Sequence, residues 1–179
     1  MRTALPIGLS LLMLLSGTVS FAAEQVTRQP FATNPDAPVE VTSDSLDIDE
    51  NKGRAVFLGD PRMVQGDVSI VSRQMIASWE PGNFRNTDRI RFQDQVVATS
   101  ADGRVARGQW GEYFPDAERM IMGDQVTLTQ PPSDSGRQAA VLTGKRLEVD
   151  MRKGESQLFG DATERAKGVL SPGQKNQTD

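Results

Sequence analysis

No cysteine and no histidine occur among the 179 residues. The first absence excludes disulfides, thiolate nucleophiles and sulfur ligands for a metal. The second removes the commonest general base and the imidazole ligand of most zinc sites. Neither a G-x-S-x-G elbow nor a phosphate-cradling glycine loop is present. The formal net charge is −4, which speaks against nucleic acid as a partner. After the first two dozen residues no apolar stretch is long enough to span a bilayer.

What is present begins with a processing signal. Arg2 supplies the basic start, Leu5 to Val19 is mostly apolar and uncharged, and Ser20–Phe21–Ala22 puts small residues at −3 and −1. This predicts a signal peptide over 1–22, cleaved after Ala22, and an exported, periplasmic protein. The apolar run falls short of the roughly 20 residues a membrane span needs. The exported chain is long enough to bury a core of its own, so the lack of disulfides fits a periplasmic domain. The segment 23–37, with two prolines and scattered polar residues, reads as a flexible leader. A folded domain is expected over 38–170. Residues 171–179, polar with Pro172 and Gly173, read as a disordered tail.

Within the domain the apolar residues recur every second position. Val39 and Val41 share a face, as do Leu46 and Ile48, then Val56 and Leu58, then Val64, Val68 and Ile70 around Gly66. A period of two predicts half-buried strands. Turn formers separate them at Ser43–Asp44, Asn51–Lys52–Gly53, Gly59–Asp60–Pro61 and Gln65–Gly66–Asp67. Further strands are expected at Gln74–Trp79, Arg89–Ala98, Arg104–Phe114, Met120–Gln130, Ala139–Thr143, Arg146–Met151 and Ser156–Gly160. Helix competes at Asp116–Met122, but Pro115 and Gly123 leave it under two turns. The segment from Gln130 to Gly136 reads as a long loop.

A repeat runs through the pattern. Asp60, Asp94, Asp124 and Asp161 each follow apolar residues, such as the pairs Phe57–Leu58 and Ile121–Met122, and a bend residue, at spacings of 34, 30 and 37 residues. Glycine within a strand marks a bulge or sharp bend, so the same bend recurs and lets one sheet fold over itself. The fold class is therefore all-β: a long antiparallel sheet, rolled or sandwiched, with two curved halves facing an apolar interior.

Three clusters invite chemistry. Within the acidic run Asp44, Asp47, Asp49 and Glu50, the stretch Asp47–Ile48–Asp49–Glu50–Asn51 resembles the opening of a calcium loop, but the glycine, Gly53, is one place late and position twelve is Leu58. Alternation with Leu46 and Ile48 places Asp47 and Asp49 on an outward face, where a carboxylate pair for glycoside hydrolysis has no cleft. Arg85, Arg89, Arg91, Arg104, Arg107 and Arg119 read either as solvated strand faces or as contacts for phosphate or carboxylate on an amphiphile. Met63, Met75, Met120 and Met122 read either as core or as a flexible lining for acyl chains. No cofactor or metal is expected.

Several stretches together resemble one family. Pro38–Val39–Glu40–Val41–Thr42–Ser43–Asp44 with Ser45–Leu46–Asp47 is similar to its opening strand and turn. Phe57–Leu58–Gly59–Asp60 through Val64–Gln65–Gly66, Glu112–Tyr113 through Gly123–Asp124, and Val169–Leu170–Ser171–Pro172–Gly173–Gln174 follow in the family's order. The family is that of LptA, or OstA-like, periplasmic lipopolysaccharide transport proteins, and the likeness spans roughly Pro38 to Gln174. Pro61 and Arg62 depart from it, standing where the family continues an apolar strand; Pro61 cannot donate to a ladder, which predicts a break or an edge there.

The resemblance implies an antiparallel β-jellyroll open at its ends with an apolar groove. It implies binding of the lipid A part of lipopolysaccharide and its passage from an inner-membrane complex containing an LptC-like protein to an outer-membrane LptD-like translocon. It also implies a head-to-tail homo-oligomer joined through strand edges. Residues with inward parity are the lining candidates: Val39, Val41, Leu46, Ile48, Val56, Leu58, Val68, Ile70, Met75, Ile90, Phe92, Val96, Met120, Met122, Val126, Leu128, Leu147 and Val149. For each of them a closed core contact is the competing expectation. The rival function is a structural β-roll adaptor with a filled core that joins envelope proteins without binding lipid. A third is a periplasmic hydrolase using Asp47 or Asp49.

Overall fold

Alternating runs become strands throughout the computed structural model, which describes residues 31, 34, 37–84, 86–132 and 139–170. The signal segment with its cleavage point at Ala22, most of the leader, and the tail 171–179 lie outside the described residues. Twelve strands and no helix occur among the described residues: β1 (Glu40–Thr42), β2 (Ser45–Asp49), β3 (Arg54–Leu58), β4 (Arg62–Gln65), β5 (Val68–Val71), β6 (Gln74–Trp79), β7 (Thr87–Ser100), β8 (Val105–Phe114), β9 (Arg119–Gln130), β10 (Ala140–Asp150), β11 (Glu155–Phe159) and β12 (Lys167–Leu170). The segment 116–122, where helix competed, forms a turn that runs into β9. The two strands expected between Ala139 and Met151 are one, β10, because Gly144 and Lys145 make a bulge rather than a turn. The short β12 was not anticipated: Lys167–Leu170 holds too few alternating residues to register as a strand.

All pairings are antiparallel, and the sheet does not close. Its logic is a meander bent once per strand. The chain switches partners at Ser43–Asp44 between β1 and β2, at 59–61 between β3 and β4, and at Ser72–Arg73 between β5 and β6. The long strands β7 to β10 continue through the same level on bulges, with register shifts at Gln93/Val96, Arg107/Trp110 and Gly144/Arg146. One half-sheet is thus β1-β4-β5-β7-β8-β9-β10-β12 and the other is β2-β3-β6-β7-β8-β9-β10-β11. The repeating aspartates sit at this waist. Asp60, Asp94 and Asp124 have φ of 49°, 60° and 58°, a left-handed conformation that Asp tolerates better than most residues. The period near thirty residues is one strand up and one strand down. Pro61 lies in the break shared by all the short strands, so its missing N–H costs no ladder bond.

Trp110 locks the waist on the outer face. Its indole N–H donates to Asp124 Oδ2 at 3.2 Å, and its ring lies so close over Gly123 that a Cβ there would overlap it.

Side chains pointing inward form rows across each half. In the second half-sheet one row reads Leu46, Phe57, Met75, Phe92, Gly111, Met122, Leu147, Leu158. In the first it reads Val41, Met63, Ile70, Ala98, Ala106, Leu128, Leu142, Gly168. The two halves face each other across these rows. Tyr113 on β8 reaches across and donates its hydroxyl to Gln65 Oε1 on β4 at 2.8 Å, and Gln65 Nε2 donates to the Ala37 carbonyl at 3.3 Å. Phe31, from the stretch read as a leader, is buried in the same core.

Candidate functional site

The interior is not uniform. Through its middle it is packed solid: Ile70, Met75, Phe92, Val96, Met122 and Leu147 are fully buried. Toward the N-terminal edge of the second half-sheet it opens into an apolar groove of about 380 Å³, near the lower end of the roughly 300–1,000 Å³ usual for small-molecule sites. β1 and the residue before it contribute Val41 and Val39, β2 contributes Leu46 and Ile48, and β3 contributes Ala55 and Phe57. Ala77, Trp79 and Ile90 close the floor, and Phe84, Asn86, Thr87, Pro115 and Asp116 form the rim.

The groove exists because the sheet ends there. Among the described residues β2 pairs only with β3, and β1 only with β4, so no further strand extends the sheet past them and their inward side chains are left partly uncovered. Leu46 is 51 % exposed and Ile48 46 %. Apolar side chains left uncovered in this way mark surfaces that take up an apolar partner. The opposite edge is also unpaired: β11 and β12 each pair only with β10 among the described residues, and Phe159, Val169 and Leu170 stand exposed there.

The polar chemistry of the groove is sparse. Among its described lining residues there is one carboxylate, Asp116, two neutral polar side chains, Asn86 and Thr87, and no Lys or Arg. Trp79 is 5 % exposed, yet its indole N–H is buried without a hydrogen-bond partner. Its backbone is fixed by the β2–β3 turn. The Trp79 N–H donates to the Gly53 carbonyl at 2.9 Å, and any Cβ at Gly53 would collide with the Trp79 carbonyl. Phe84 meets the indole edge-on, with ring centroids 4.9 Å apart.

The residues expected to line an interior fall into three sets. Val39, Val41, Leu46, Ile48 and Ile90 meet in the groove. Val68, Ile70, Met75, Phe92, Val96, Met120, Met122, Val126, Leu128, Leu147 and Val149 are inward but buried in the packed core. Val56 and Leu58 are corrected: they point to the outer face. Both parities of β3 are apolar, so periodicity alone does not choose between them. The register does, pairing Leu46 with Phe57 and Asp47 with Val56. Phe57 and Ala55 are therefore the groove residues, and alternation in β3 hid them. Trp79, Phe84, Asn86 and Asp116 were missed because they converge from separate strand ends; the one local signal was the turn Trp79–Glu80–Pro81–Gly82–Asn83.

The other clusters resolve as surface chemistry. Asp47 faces away from the groove beside Val56. Asp49 accepts bonds from the backbone N–H and Nζ of Lys52, at 3.1 and 2.6 Å; the bond from the Lys52 ammonium is the main reason its carboxyl is held below the usual value. Arg89 and Arg91 pair with Glu112, Arg104 with Asp102, and Arg119 with Glu148; Arg85 lies outside the described residues. Met63, Met75, Met120 and Met122 are core. No group of three or more Asp or Glu side chains placed to hold a metal ion occurs among the described residues. A second, polar depression of about 290 Å³ on the outer face of β9–β11 is lined by Arg119, Glu148, Asp150 and Lys153, charges that already pair with one another or with the adjacent turn.

Comparison with known proteins agrees with the geometry. A family model described as "LptA/(LptD N-terminal domain) LPS transport protein" matches residues 40–155. An uncharacterized protein of Rhizobium meliloti (strain 1021) is 27 % identical over 130 residues, covering 69 % of this chain and 66 % of that protein, so the match spans just under two thirds of that relative. A protein of Pseudomonas aeruginosa described as lipopolysaccharide export system protein LptH is 22 % identical over 144 residues, covering 78 % of this chain and 82 % of that one. The crystal structure of LptH, described as the LptA-homologous periplasmic component of the lipopolysaccharide transport device of Pseudomonas aeruginosa, superposes with a TM-score of 0.64. It is 17 % identical and covers 78 % of this chain and 99 % of that one. The shared fold is the antiparallel β-jellyroll.

Proposed function

We propose that this chain, which belongs to the LptA/(LptD N-terminal domain) family of LPS transport proteins, is a periplasmic carrier that holds the lipid A acyl chains of lipopolysaccharide in the groove beside β1–β3. The family is one of transport proteins, so no bond is made or broken. The observation that carries the reading is the uncovered apolar face of Val39, Val41, Leu46, Ile48 and Phe57 over a ready cavity. Each methylene withdrawn from water there is worth about 0.8 kcal/mol, enough for a single chain to bind measurably without any specific contact. Several chains need more room than the groove offers at rest. The two unpaired edges support a sheet that spreads to admit them, since no ladder bonds close it.

The same edges support the rest of the transport reading. Among the described residues, β1–β2 at one end and β11–β12 at the other have no further strand paired to their outer edges, and exposed apolar side chains flank them. Natural sheets usually blunt such edges. Strand addition through them joins copies head to tail and docks an LptC-like inner-membrane partner and an LptD-like outer-membrane partner at opposite ends. The signal segment delivers the chain to the periplasm.

The packed middle of the interior favours a second reading, an adaptor that joins envelope proteins through its edges and carries no lipid. The experiment that separates them is binding of purified lipopolysaccharide to the folded protein and to Leu46→Asp and Phe57→Asp, with the outward Val56→Asp as control. Leu46 is half exposed, so a charge there costs little folding energy. The carrier reading expects loss of binding in the first two and none in the third. Equal binding in all four removes the groove as the lipid site, and binding in none leaves the adaptor.

A further inference from the structure

The groove has one polar feature that its apolar walls do not explain. The Trp79 indole is donor-only, and buried donors in folded proteins nearly always have a partner. Here the side chain is almost wholly buried and held by other means, its backbone tied to Gly53 and its ring packed against Phe84, while the buried N–H meets nothing. We infer that Trp79 is the donor of a built anchor for a hydrogen-bond acceptor on the ligand, and that this acceptor is the neutral carbonyl oxygen of an acyl ester or amide, at the junction of chain and head group. The inference rests on the amphiphile-binding reading above and adds which chemical group fixes the depth of the chain.

The groove's own layout assigns the junction. Leu46, Ile48, Phe57 and Ala77 form a purely apolar run, and Trp79 ends it, next to Asn86, Thr87 and Asp116 at the rim. A chain lying along the run brings its linkage to Trp79 and its head group to the polar rim. The described lining holds a carboxylate and no cation, so an anionic acceptor such as phosphate is disfavoured there and a neutral oxygen is favoured. Phe84 is the mobile neighbour. It is 55 % exposed, on the turn between β6 and β7, and stands edge-on to the indole. Swinging it outward sacrifices little buried area of its own, and under this proposal the movement is the route by which a ligand reaches the sealed N–H. Trp79 is thus a positioning residue for the ligand: it reads the linkage, while the apolar run supplies most of the binding.

The test uses two sugar-headed amphiphiles below their micelle concentrations: sucrose monolaurate, which has an acyl ester, and dodecyl maltoside, whose glycosidic ether lacks the carbonyl. Binding to the folded protein and to Trp79→Phe is measured by titration calorimetry. The expected result is that Trp79→Phe weakens the ester about three- to tenfold, the worth of one neutral hydrogen bond, and leaves the ether unchanged. Phe84→Ala keeps the preference for the ester. In the unaltered protein the chain's two tryptophans give two indole ¹⁵N–H signals, and the one that persists in Trp110→Phe belongs to Trp79. It moves downfield with the ester and stays in place with the ether, a readout that stands even where Trp79→Phe is unstable. If both amphiphiles bind and Trp79→Phe weakens them equally, or the indole signal responds to both alike, the anchor is overturned while the groove stands. If neither amphiphile binds, the groove reading falls and the anchor with it.

Discussion

Tyr113→Phe isolates the brace that ties the two halves of the sheet together. The substitution keeps the ring and creates no cavity of consequence, so the packing around a fully buried side chain is preserved. It removes one hydroxyl that donates to Gln65 Oε1 at 2.8 Å. Gln65 is itself buried, so its carbonyl oxygen loses its partner where water does not replace it. The net bond is worth about 1 kcal/mol, and an unsatisfied buried acceptor costs about 1–3 kcal/mol. Gln65→Leu leaves the Tyr113 hydroxyl stranded in turn and should cost a similar amount. Replacing both partners with apolar groups is close to neutral for the pair. The double variant should therefore be more stable than the sum of the singles, with a coupling of about 1–2 kcal/mol. Urea unfolding followed by circular dichroism measures it, as a shift in midpoint at constant slope. Strictly additive single effects would refute a direct bond between the halves.

Alkaline pH probes the same residue. Burial is the main reason the Tyr113 phenol is raised above its usual value of 10.0. A raised folded value means the native state holds this proton more tightly than the unfolded chain does. The contribution is fully present below about pH 10 and is lost as pH climbs through the folded value. Stability measured by urea melts between pH 9 and about 11 should fall, and Tyr113→Phe should flatten that part of the fall. At the waist, Gly123→Ala drives a methyl into the Trp110 ring. It should cost about 1–3 kcal/mol, visible as a drop in Tm of roughly 2–4 °C per kcal/mol; Trp110→Ala in the same chain should recover much of the loss by removing the ring.

The strands other than the short β12 were legible because they alternate over several residues. Arg89–Ala98 and Gln74–Trp79 show a clean period of two, and β6 starts and ends where that pattern does. The waist was legible too, since an aspartate or glycine in the left-handed region has a chemical signature that Asp60, Asp94 and Asp124 display in sequence. The facing of β3 was not, because Val56 and Leu58 are as apolar as Ala55 and Phe57, and only pairing with β2 and β6 chooses. Whether the interior is open or filled depends on how large side chains from different rows interdigitate. Periodicity carries no such information, and both outcomes occur in the one molecule. Phe31 escaped notice because a lone aromatic among prolines and polar residues has no period at all, yet the fold buries it. The groove rim escaped for a different reason: Trp79, Phe84 and Asp116 become neighbours only when β6, β7 and the turn after β8 are brought to the same end of the sheet.

The most direct measurement is photo-crosslinking of purified lipopolysaccharide to the folded protein carrying a photoreactive residue at Leu46, at the outward Val56 or at the core position Ile70. Crosslinks at Leu46 with none at Val56 are expected, and Ile70 should react only after the sheet spreads at high ligand concentration. Equal reaction at Leu46 and Val56, or no reaction at Leu46 in the folded protein, contradicts a lipid-holding groove.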